Sequence, residues 1–143
     1  KLGVNFCMHK DDLSFLEHLI DQAQFFGLKA NSPPKVDRFL EDNDEISFGE
    51  LKARVIHTPG HTPGGLSFLI EDSIFVGDTL FSGSIGRTDL PGGSYEKLSH
   101  SIKSKLLTLK PNTKVFPGHG PPTNIEIERK TNPFLKEFKE SNA

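Results

Sequence analysis

The sequence predicts a mixed α/β fold. Short apolar or alternating runs, each too short for a helix, punctuate segments whose apolar residues recur every three or four positions. Loops rich in Gly and Pro, rather than long polar linkers, separate the two kinds of segment, and the polar residues gather in the loops that follow strands.

The elements follow in order. Val4 to Met8 is expected to form an apolar strand, after which Asp11 and Asp12 cap a helix with Leu13, Leu16, Ile20 and Ala23 on one face. Gly27 ends that helix. Lys29 to Asp44 is polar, contains Pro33-Pro34, and reads as a surface excursion anchored by Phe39-Leu40. Leu51 to Ile56 alternates as a half-buried strand. Leu66 to Ile70 and Ile74 to Val76 flank the turn Glu71-Asp72-Ser73 as the equal arms of an antiparallel hairpin. Ser94 caps a helix with Tyr95, Leu98, Ile102, Leu106 and Leu109 on its apolar side, and Lys residues near its end suit the helix dipole. Pro111-Asn112 breaks it before a buried strand at Lys114 to Phe116. Thr123 and Glu126 then read as a capping box, and Asn132-Pro133 as the cap and start of a last helix.

The chain of 143 residues shows no composition shift and no Gly/Ser-rich linker, so it reads as one unit. Hydrophobic residues make up 34%, against roughly 45–50% in ordinary globular chains when Gly is counted, so a modest core is expected. Seventeen basic residues against 19 acidic ones leave a net charge of -2, which supplies no field for a phosphate backbone and excludes nucleic acid as the expected partner. The single Cys7 cannot form an internal disulfide; its apolar neighbours suggest a buried inert thiol, and a lone cysteine fits the reducing cytoplasm. No stretch approaches the ~18 apolar residues of a membrane span. The start at Lys1, without Met, reads as a cut.

Three marks carry the chemistry: Thr58-Pro59-Gly60-His61-Thr62-Pro63-Gly64-Gly65, Gly77-Asp78-Thr79 and Pro117-Gly118-His119-Gly120. Imidazole nitrogens and a carboxylate oxygen are donors that zinc-type and iron-type divalent ions accept, and Gly/Pro loops give the firm orientation that coordination demands. The hairpin of equal arms returns the chain to its starting end, which places Asp78 beside His61. A carboxylate has two oxygens and can bridge two cations ~3.5–4 Å apart, and bridging is the role expected of Asp78. His9, His18 and His100 read as surface or hydrogen-bonded residues. For His57 local packing is expected, with support of a ligand or contact with substrate as the alternative. Arg87 and Asp89 either pair internally, the favoured reading, or Arg87 binds a substrate carboxylate.

The series TPGHTPGG, FVGDTLF, GSIGRTDLPGG, FPGHGP and ERKTNPFL, running in this order from Thr58 to Leu135, resembles the later part of a metallo-β-lactamase-fold hydrolase, most closely the glyoxalase II-like (hydroxyacylglutathione hydrolase) subgroup. That resemblance implies an αββα sandwich with two divalent metal ions at its edge, zinc foremost, with iron or manganese as alternatives. His61 would match a histidine of the first metal, Asp78 the bridging carboxylate and His119 the histidine of the second. The family's remaining ligands lie in an HxHxDH motif that this sequence lacks, so residues 1–143 are expected to be a partial domain, the later portion of the sandwich with its first sheet layer incomplete.

The resemblance further implies hydrolysis, in the complete protein, of a small-molecule thioester such as S-lactoylglutathione by a metal-activated hydroxide, without a serine or cysteine nucleophile. One alternative is a single-iron sulfur dioxygenase of the same fold, whose pattern Gly86-Arg87-Thr88-Asp89 also resembles, although Gly120-Pro121 after His119 departs from it. Another is an inactive fragment, or a module completed by a second chain. An uncovered sheet face would then favour self-association.

Overall fold

The computed structural model describes residues 2–136. Its centre is a six-stranded mixed sheet in the order β10-β9-β6-β5-β4-β3, built from β3 (Glu45–Phe48), β4 (Leu51–His57), β5 (Leu66–Ile70), β6 (Ser73–Gly77), β9 (Lys114–Pro117) and β10 (Thr123–Asn124). β3 to β6 form an antiparallel meander, and β6 joins β9 in parallel, with Phe75 opposite Phe116. The parallel pairing requires a crossover. It is made by β7 (Leu80–Phe81), β8 (Ser84–Ile85) and α3 (Tyr95–Ser101), which runs on into a π-helical turn at Ile102–Leu106. A two-stranded parallel ribbon, β1 (Cys7–Met8) with β2 (Arg38–Phe39), stands apart, and the short helices α1 (Leu13–Glu17) and α2 (Leu19–Phe25) lie between its strands in sequence.

The two faces of the large sheet differ. On one, Ile56, Ile74, Val76 and Val115 pack against Leu98, Ile102 and Leu106 of the crossover helix and against Ile125 of α4 (Ile125–Thr131). Leu98, Ile102 and Leu106 are fully buried, each side chain contributing roughly 1.5–3 kcal/mol relative to exposure. The other face carries Ile46, Phe48, Phe68, Ile70 and Phe75 around a shallow apolar groove. Phe75, stacked on Phe116 at 5.2 Å, is 44% exposed. Phe48, at 45%, is similarly exposed.

Several local expectations give way to tertiary context. The first strand shrinks to Cys7–Met8, and Val4 and Cys7 are exposed; the thiol is therefore not buried. Asp12 makes no capping bond, because its carboxylate is engaged far along the chain; His9 caps instead, its Nδ1 accepting from the Asp11 amide. The first helix breaks at His18 into α1 and α2, and Ile20 is solvent-facing. Ser94 does cap α3, accepting from the Lys97 amide, yet Tyr95 lies outside the apolar face at 48% exposure. The cap of α4 is Asn124, whose Oδ1 accepts from the Ile127 amide, and not Thr123, whose hydroxyl donates to Glu128. Asn132 caps the final 3-10 turn, Pro133–Leu135, as expected. Among the described residues no helix is long and apolar enough to cross a membrane.

Candidate metal centre

His61 sits in the loop between β4 and β5, which is closed by hydrogen bonds from the Thr58 amide to the Gly65 carbonyl and from the Gly60 amide to the Thr62 carbonyl. The loop lies hard against α3: a Cβ on Gly60 would fall 2.3 Å from the Leu98 backbone, and φ there is +142°. Only glycine tolerates both. From the other side the Asp12 carboxylate accepts from Thr62 Oγ1 and from the Gly64 amide, each at 2.7 Å. The Gly/Pro sequence thus becomes a firm platform because α3 and Asp12 hold it from two sides.

Asp78 follows β6, and the return of the β5–β6 hairpin brings it to His61, as the equal arms predict. The second approach is made just after β8: a Cβ on Gly86 would clash with the Asp78 carbonyl oxygen. This closeness places the Arg87 carbonyl beside His61, whose Nδ1 donates to it at 2.9 Å. A carbonyl only accepts, so the proton of a neutral His61 sits on Nδ1 and the lone pair on Nε2, which faces Asp78 Oδ2 at 3.6 Å. Two donors so placed could be bridged by a divalent cation or by a proton on Nε2.

His119 arrives on the loop after β9, drawn in by the Gly118 amide donating to the Gly77 carbonyl. Its Nδ1 donates to Asp78 Oδ1 at 2.7 Å. The histidines therefore address different oxygens of one carboxylate. The three line an open pocket of about 320 Å³ with Phe81, Ser84, Ile85 and Arg87. Two imidazoles and a carboxylate suit a borderline divalent ion, and their division between Oδ1 and Oδ2 suits a bridge between two. If each of two ions took one histidine and one oxygen, the remaining coordination positions would need donors from outside this trio.

Arg87 and Asp89 form a two-pronged pair, Nε to Oδ1 at 2.8 Å and Nη2 to Oδ2 at 2.9 Å, the internal pairing favoured from sequence. Hydrogen bonding from Arg87 holds the Asp89 carboxyl down to about 2. His57 is absent from the residues lining the pocket. Its Nε2 donates to the Pro63 carbonyl at 2.9 Å, so it packs locally and in doing so supports the His61 loop.

A second cluster escapes sequence reasoning. His9, Asp11 and His57 bring ligand-type atoms within 4.8 Å of one another. The His9 and His57 rings, however, stack at 4.1 Å with only 9° between their planes. A metal binds imidazole in the plane of the ring, and one ion cannot lie in two parallel planes. His9 Nδ1 is already taken by the Asp11 amide. Burial, reinforced by His57, holds the His9 pKa below its ordinary value. This cluster is a packing joint, and nothing in the local sequence around either histidine signals their contact across 48 residues.

Comparison with known proteins adds independent findings. The metallo-beta-lactamase superfamily model matches residues 4–119. A probable metallo-hydrolase of Bacillus subtilis, YqgX, is 44% identical over 135 residues, covering 92% of this chain and 64% of its own length. The hydroxyacylglutathione hydrolase GloC of Haemophilus influenzae is 42% identical, with 89% and 61% covered. The structure of TTHA1623 in a di-iron-bound form superposes with a TM-score of 0.84 at 42% identity, over 94% of this chain and 66% of that one. The chain thus spans less than two thirds of the length of these curated relatives.

Proposed function

Because the chain belongs to the metallo-beta-lactamase superfamily, we propose that it contributes the later half of a two-metal centre in a hydrolase acting on a thioester such as S-lactoylglutathione. The observation that carries this reading is the placement of His61 and His119 on separate oxygens of Asp78. His61 and Asp78 Oδ2 would hold one ion, and His119 and Asp78 Oδ1 the other. Divalent ions supply Lewis acidity, which polarises a carbonyl and makes hydroxide accessible near neutral pH.

The chain's own residues do the rest. The Arg87 carbonyl holds His61 in the tautomer with Nε2 free. Phe81 and Ile85 give the pocket an apolar wall, against which the acyl or thiol part of a substrate would lie. The Arg87 guanidinium is committed to Asp89, which leaves the mouth of the pocket nearly neutral on that side. The thioester assignment is supported by the likeness to GloC, which carries that activity in its name. Zinc is the expected metal; the same donors accept iron, as in the di-iron-bound neighbour.

The test is hydrolysis of S-lactoylglutathione by the metal-loaded complete protein, since this chain alone is expected to be inactive, with and without a chelator, beside Asp78→Ala. Release of free thiol that requires metal and Asp78 is the expected result. A protein holding two ions that leaves the thioester intact contradicts the substrate assignment, and oxidation of a persulfide sulfur by an iron-loaded sample would replace it with a dioxygenase.

A further inference from the structure

Glu128 and Asn132 are buried polar residues that the metal centre does not use, exposed to 1% and 0% respectively. A buried carboxylate is costly unless its lone pairs are occupied. Here they are. Oε1 accepts from the Gly83 amide at 2.7 Å and from Asn132 Nδ2 at 3.4 Å, and Oε2 accepts from Thr123 Oγ1 at 3.1 Å. Asn132 Nδ2 donates in addition to the Phe81 and Ser84 carbonyls, at 3.4 and 3.0 Å. Two side chains one helical turn apart therefore grip the β7–β8 turn by one amide and two carbonyls, across more than 40 residues of sequence.

That turn carries Phe81. Its ring meets the His119 imidazole at right angles, centroids 6.3 Å apart and planes at 83°, within the range of favourable edge-to-face pairs. The His119 side chain is 78% exposed and has a hydrogen bond to Asp78 Oδ1. An ion held at Oδ1 would compete with that hydrogen bond, whereas the Phe81 ring would keep its contact with the imidazole. Restraining a ligand before binding lowers the entropy lost on coordination.

We propose that Glu128 and Asn132 are positioning residues which, by clamping the Phe81–Ser84 turn, hold the Phe81 ring against His119 and thereby strengthen the metal site on the His119 side. The inference rests on the reading of His119 as a ligand and concerns only this chain's residues.

Zinc affinity of the purified protein, read by competition with a chromophoric chelator, tests it without any substrate. Glu128→Ala and Phe81→Ala should each weaken zinc binding about tenfold, the low end for residues that support a ligand. The double variant should be no weaker than either single one, since both remove the same restraint. Glu128→Gln, which keeps an acceptor for Gly83 and a group able to pair with the Thr123 hydroxyl, should restore near-native affinity. In a His119→Ala background Glu128→Ala should have no further effect, whereas a merely structural role would weaken zinc there too. Should Glu128→Ala not fold, Phe81→Ala and Glu128→Gln carry the same test. Unchanged affinity in the single variants, losses that multiply in the double, or a loss that persists without His119 overturns the proposal. A wild-type protein that binds no zinc overturns the ligand reading as well, and the wild-type titration alone distinguishes that case.

Discussion

Among the described residues lie two clusters of two histidines and an aspartate, and their geometry points in opposite directions. At His61, Asp78 and His119 the rings approach a shared carboxylate from two sides and open onto a pocket. At His9, Asp11 and His57 the rings lie face to face, 4.1 Å apart, with one nitrogen already capped by a backbone amide. The second cluster is the tighter by distance alone. Proximity of ligand-type atoms is thus a poor guide. What separates a metal centre from a packing joint is where the lone pairs point and whether something already occupies them.

The largest expected effect comes from removing the shared carboxylate. Asp78→Ala should lower bound metal to about a tenth of the wild-type content or less, measured by elemental analysis, since the carboxylate would supply an oxygen to both ions. His9→Phe, by contrast, should leave metal content unchanged. If the two substitutions had equal effects on metal, the distinction between the clusters would be lost.

Next in size is the approach that orients His61. Gly86→Ala would drive a methyl group against the Asp78 carbonyl and should cost about 1–3 kcal/mol in denaturant unfolding, typical of overpacking, with a parallel loss of metal. Native stability in that variant would mean that the contact between Gly86 and Asp78 is loose.

The packing joint should reveal itself through pH. The folded-state pKa of His9 is lowered, chiefly by burial and then by the neighbouring His57, so the unfolded chain binds the proton more readily. Stability from neutral His9 is then present above the unfolded value of 6.5 and is lost as pH falls through the folded one. His9→Phe, which keeps a flat ring in the stack, should flatten that acid-side decline in thermal melts between pH 7 and pH 5. An unaltered decline would assign it to other groups.

The smallest effect belongs to Asp89. Its carboxyl is held down to about 2 by Arg87, so the contribution of the pair is present above the ordinary carboxylate range and is lost only as pH falls through about 2. Asp89→Asn should therefore leave metal content and melting temperature near neutrality essentially as in the wild type.

How much of this was legible beforehand follows from the range of the interactions. The β5–β6 hairpin was readable because its turn and arms are contiguous, and with it the meeting of His61 and Asp78. His119 could be nominated from its Gly/Pro loop, but its place opposite the other carboxylate oxygen depends on the parallel β6–β9 pairing, which no local pattern encodes. Caps differ where a side chain has another partner: Asp12 serves the His61 loop fifty residues on, and Thr123 serves Glu128 within the next turn, so neither is free to cap. The His9–His57 stack and the hold of Glu128 on Gly83 have no sequence signature at all, because each joins residues 45 or 48 positions apart through a single contact.

The most direct test of the central claim is metal stoichiometry of the protein purified with the donors outside this trio supplied, taken alongside His61→Ala and His119→Ala. Two equivalents in the wild type, with about one lost in each variant, is the result this arrangement predicts. Little or no metal in the wild type, or metal that survives both substitutions, would contradict the assignment of His61, Asp78 and His119 as a bridged two-metal centre.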